Sequence, residues 1–109
     1  MPLALNVFQT VTTVVPTTAT IVYTAPVGYT GVVLLAQVAN VGPSTEFITF
    51  IHRRSVTDTE ILKDFPVSTG DSSNLISGKL ILESGDKLVL YGSTSTDLKF
   101  IASILETLN

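Results

Sequence analysis

The 109 residues contain no cysteine and no tryptophan, and only one histidine and one methionine. Without cysteine there is no disulfide scaffold, no thiol nucleophile and no Cys/His zinc site. Charge is scarce as well: Asp, Glu, Lys and Arg make up 14% of the chain, against about 25% in an average soluble protein. Six Lys and Arg in a chain of net charge −3 make no basic patch, so a nucleic-acid partner is not expected. No apolar run reaches the ~18 residues of a membrane span, and the opening MPLALNVFQT lacks the basic region and long apolar core of a secretory signal. No membrane is expected, and the protein is expected to be made and kept in a reducing cytoplasm or assembled there into something larger.

What is present is 45% hydrophobic residues and about a quarter Ser and Thr, enough for one domain with a core. The stretch IVYTAPVGYTGVVLLAQVAN, residues 21–40, joins a short apolar strand to the longest apolar run. Pro26 pushes Ala25 into an extended conformation, and Gly28 and Gly31 permit positive φ, so a β-hairpin corner is predicted there. Residues 1–10 read as an N-terminal arm or edge strand, with residues 3–8 as its extended part, and residues 11–109 as the folded domain. Residues 11–15 form a peripheral strand ended by Pro16, and residues 18–24 lead into the corner.

Beyond NVGPS, residues 46–53 alternate Ile48, Phe50 and His52 against Phe47, Thr49, Ile51 and Arg53. A loop over 54–59 precedes a strand over 60–67, and residues 68–74 are a polar loop. Residues 75–82 read as one strand bent at Gly78, turning through Glu83-Ser84-Gly85-Asp86 into a partner strand over Lys87–Gly92. The polar tip 93–97 leads to Leu98–Leu108, where alternation of Leu98, Phe100, Ala102 and Ile104 with Lys99, Ile101, Ser103 and Leu105 favours a strand over a helix. Seven or eight strands at intervals of about 8–12 residues predict an all-β, antiparallel β-sandwich, jelly-roll or immunoglobulin-like.

Catalytic chemistry is not legible. Asp58, Glu60, Asp64, Asp71, Glu83 and Asp86 are spread over separate loops with no acid/base or metal-loop spacing. No G-x-S-x-G elbow is present, and Gly28-Tyr29-Thr30-Gly31 lacks the lysine of a phosphate loop. No catalytic residue, metal site or cofactor is therefore expected. Tyr23, Tyr29 and Tyr91 offer a sugar-stacking platform if they cluster, which keeps a carbohydrate-binding module open. His52-Arg53-Arg54 is the one basic cluster, suited to a carboxylate or phosphate.

VYTAPVGYTGVVLLAQVANV, FITFIHRR, LISGKLILESGDKLVLYGS and KFIASILETLN together resemble small virion structural proteins of tailed bacteriophages, most closely those of cyanophages. The resemblance covers nearly the whole chain and consists of structural punctuation, so it brings no site residues with it. It implies a non-enzymatic virion component made in the host cytoplasm. A capsid decoration (cement) protein bound to the major capsid protein comes first, and a tail, neck or fibre-adaptor subunit contacting another virion protein second. Self-association is expected on residue grounds, because several strands carry apolar residues on both faces. The candidate interface is Phe47, Ile51, Ile81, Val89, Ile101 and Leu105, with Arg53 and Arg54 as possible charged contacts. A trimer is what the virion resemblance implies.

Overall fold

The computed structural model describes residues 5–109, and within them nine strands and no helix. Two antiparallel sheets pack face to face as a β-sandwich. The front sheet has the order β1 (Asn6–Val14), β9 (Leu98–Leu108), β3 (Tyr29–Asn40), with β6 (Ser72–Asn74) and β7 (Leu80–Leu82) both on the far side of β3. The back sheet runs β2 (Thr20–Thr24), β8 (Lys87–Gly92), β4 (Glu46–Arg54), β5 (Thr57–Val67). The chain changes sheet at nearly every connection, and β6 and β7 are two pieces of one strand position. This is the eight-position double Greek key of a jelly roll, so of the two expected sandwiches the jelly roll is the one formed. The ninth strand arises because residues 76–79 leave the ladder, Leu75 N–H still donating to Ala36 O (2.8 Å) and Gly78 standing at φ 93°.

Alternation along β9 explains the core. Leu98, Phe100, Ala102 and Ile104 are buried, whereas Lys99 and Ile101 face outward. Their inward partners on β3 are Val38, Ala36 and Val33, all fully buried. Phe50 of the back sheet meets Phe100 of the front sheet with ring centroids 5.7 Å apart, and Leu88 and Leu90 complete the same cluster. No helical turn is possible for residues 102–109, since each pairs in register with β3 or β1 up to Leu108.

Several expectations change: residues 72–74 of the expected polar loop form β6, and of the strand expected over 75–82 only Leu80–Leu82 is formed. Residues 21–40 do not form a hairpin: β2 pairs β8 and β3 pairs β9, so the Pro26–Gly28 corner carries the chain from the back sheet to the front. Gly28 does adopt φ 87°, but Gly31 lies inside β3 without a positive φ. The turn at residues 83–86 is likewise a crossing between sheets, since β7 pairs β3 while β8 pairs β2 and β4. The two corners lock together. Ala25 N–H donates to Asp86 O, and Gly85 N–H donates to Ala25 O, both at 2.9 Å. Another change lies at residues 54–59, where only Ser55 and Val56 form the turn, with Ser55 at φ 56°, and β5 begins at Thr57.

β1 is one continuous strand along β9 from Asn6 to Val14, so residue 10 falls in its middle. Residues 1–4 of the expected arm lie outside the described residues. At the end of β3 opposite the corners, buried Asn40 donates from Nδ2 to Ser44 O (2.8 Å) and Val67 O (2.9 Å) and accepts from Gly42 N–H (2.9 Å). The strand-ending Asn is thus a buried loop anchor that leaves no polar atom for a ligand.

Candidate functional site

Because successive side chains in a strand take opposite faces, the register fixes what the front sheet presents outward. One row runs Phe8, Leu105, Val32, Ile81 across β1, β9, β3 and β7. The next holds Thr10, Ser103 and Leu35, and the one after it Thr12, Ile101 and Gln37. Val14, Lys99 and Ala39 close one end, and Asn6, Thr107 and Thr30 the other. Phe8 is 74% exposed, Ile81 53% and Ile101 39%. Lys99 is the one charged residue in these rows. Beside Ile101, between Thr12, Gln37, Ala39 and Lys99, the face dips into a hollow of about 330 Å³.

The eight expected interface residues divide between the two outer faces. Ile81, Ile101 and Leu105 share the front face just described. Phe47 lies half-exposed on the outer face of the back sheet. Ile51 and Val89 pair with each other on that same outer face, and they are not available: Val89 is fully buried and Ile51 is 5% exposed. They sit in the two middle strands of the back sheet, between one row carrying Tyr91 and another carrying Arg53 and Lys87. The apolar stems of such long side chains cover neighbouring surface while their polar ends reach water. Lys63 Nζ donates to Tyr91 Oη at 3.0 Å, which holds two of these side chains across the face.

Arg53 and Arg54 are already occupied within the chain. Arg53 grips Asp58 through Nε (2.6 Å) and Nη2 (3.1 Å). Arg54 forks onto Asp86 through Nε to Oδ1 (2.9 Å) and Nη2 to Oδ2 (2.7 Å). Asp86 is buried and also accepts from Glu83 N–H (2.9 Å) and meets His52 Nε2 (3.0 Å). The Arg54 fork, assisted by the Glu83 amide and His52 and opposed by burial, holds the Asp86 carboxyl well below the usual carboxylate range. The basic cluster therefore closes the second corner from within and presents no free anion cradle.

The tyrosines do not form one platform. Tyr23 pairs with inward Leu88 and donates from Oη to Glu106 Oε2, whereas Tyr91 lies on the outer face of the back sheet opposite Thr49. Among the described residues no group of three or more His, Asp and Glu stands close enough to hold a metal ion. Sequence reasoning missed Phe8, the most exposed member of the apolar row, because a short segment around Asn6 reads as an arm with no assigned face. Its signal was the period-two set Phe8, Thr10, Thr12, Val14.

No family model and no curated protein matches the chain. Among solved structures, the chain is similar to one described as "Bacillus endospore appendages form a novel family of disulfide-linked pili". The TM-score is 0.56 at 17% identity, over 95% of this chain and 88% of that one. The likeness is one of fold. The present 109 residues, having no cysteine, supply no thiol for a disulfide link.

Proposed function

We propose that the protein is a non-enzymatic structural subunit that associates with copies of itself through the outer face of its front sheet. The observation that carries this reading is the row Phe8, Leu105, Val32 and Ile81, four apolar side chains in register among outward rows that hold a single charge. A contiguous apolar face of this kind on a chain so poor in charge is what subunit interfaces look like. The pilus neighbour supports use of this fold in a repeating assembly, without bearing on which assembly. The resemblance in sequence supports a virion of a tailed bacteriophage, with the capsid surface first and a tail, neck or fibre adaptor second. The major capsid protein is the partner the first of these requires.

Light scattering on purified protein at micromolar concentration tests the self-association. A mass that is a multiple of 11.6 kDa is expected, and Leu105→Asp should dissociate it while leaving the sandwich folded. A wild-type monomer overturns the reading. Copy number in purified particles separates the settings, since a shell protein is present in hundreds of copies and a tail adaptor in a handful.

A further inference from the structure

The outward rows of the front sheet are spaced evenly about the one that holds Thr10 and Ser103. Two residues to one side stands Phe8, exposed and projecting; two residues to the other stand Thr12 and Ile101, beside the hollow. Two residues further out, Lys99 at one end is balanced by uncharged, polar Asn6 and Thr107 at the other. Four strand residues separate Phe8 from Thr12, or about 13 Å. We infer that this face is self-complementary about a two-fold axis crossing the strands at Thr10 and Ser103, so that its occupant is a second copy of this chain. Phe8 of each copy then fills the hollow beside Ile101 of the other.

This deepens the proposed function and rests on its reading of the front face as the assembly surface. Three features select the arrangement. The knob and the hollow lie on one face, on opposite sides of the row of Thr10, Ser103 and Leu35, so a single operation satisfies both at once, as an isologous contact requires. Ser103 and Thr10 keep the axis open over β9 and β1, and Leu35 in the same row meets its own counterpart in an apolar contact. The one charge is placed harmlessly, because the axis sets Lys99 over Asn6 and Thr107 of the other copy. An axis along the strands instead would stack Phe8 on its own row, leave the hollow unfilled, and bring the two Lys99 rows together, where like charges repel.

The absence of cysteine makes the test clean. Ser103→Cys and Lys99→Cys are prepared as separate single variants of the full chain and treated with a short bismaleimide at micromolar protein. Ser103→Cys should cross-link to a covalent dimer and Lys99→Cys should not; the reverse pattern, or no cross-link from Ser103→Cys in protein that is oligomeric, overturns the two-fold. Phe8→Ala, on an exposed position of an edge strand, should keep the wild-type melting temperature at concentrations where both proteins are monomers. It should weaken dimerisation about tenfold or more, and an unchanged dissociation constant also overturns the inference. These results differ from the failure of the underlying reading, which is a wild-type protein that stays monomeric throughout.

Discussion

Tyr23 Oη, on the back sheet, donates to Glu106 Oε2, on the front sheet, across 2.5 Å of the sandwich interior. Glu106 is 6% exposed, and Gln9 Nε2 at 3.5 Å is its other partner. Tyr23→Phe therefore strands a buried acceptor and should cost about 1–3 kcal/mol. Tyr23→Phe combined with Glu106→Leu should recover most of that loss, and denaturant melts of the two variants compare them. Burial, reinforced by Glu106, holds the Tyr23 phenol above its usual range. Its contribution is full below about pH 10 and is lost as pH rises further. Ultraviolet titration should show one of the three tyrosines ionising only as the protein unfolds.

Asp86 sets the acid limb. Its folded-state carboxyl titrates below the ordinary value, so its stabilisation is complete above about pH 5. It declines as pH falls through about 4, where the unfolded chain takes up the proton. Asp86→Asn should lower the melting temperature at pH 7 by several degrees and flatten the dependence between pH 5 and 2. Parallel curves for variant and wild type would show that the corner does not depend on this charge.

Gly92 is tightly enclosed. A Cβ there would lie 3.0 Å from Leu98 Cδ1 and 3.1 Å from Val15 Cγ1, both in the packed core. Gly92→Ala should cost about 1–3 kcal/mol by overpacking. Gly31→Ala is the control, because its Cβ would meet Tyr23 and Leu82 at 3.5 Å, ordinary contact. Equal melting losses for the two would contradict this account.

Self-association should withstand salt and chelator. Arg53 and Arg54 are tied to Asp58 and Asp86, and the outward rows of the front sheet hold one charge, so ionic screening has little to weaken. Sedimentation in 1 M salt should match that in dilute buffer, and EDTA should leave the melting temperature unchanged. Stripping by moderate salt would instead favour docking through the arginines.

The elements were legible where alternation extends far enough to show a period. Leu98–Leu108 carries inward and outward sets in strict alternation, and the fold follows it to the end. Connections were less legible, because turn chemistry is shared: Pro26 with Gly28, and Gly85 with Asp86, suit a hairpin and an inter-sheet corner equally well. What decides between them is which strand lies beside which, a long-range property absent from either stretch. The outward placing of Ile81, Ile101 and Leu105 on the front sheet was legible from their alternation. The exposure of Ile51 and Val89 was misread, because they face outward but lie in the two middle strands of the back sheet, a placement the linear pattern does not reveal.

β9 lies between β1 and β3, so one of the two interior strands of the front sheet is the last of the nine described strands to be synthesised. While it is still in the ribosome, β1 has no ladder partner and β3 can pair only on its β6 and β7 side. A chain interrupted before Leu98 would thus hold two open edges rather than a smaller working domain, and open edges recruit neighbouring chains. Completion of the front sheet therefore waits on the meeting of the two ends of the described chain.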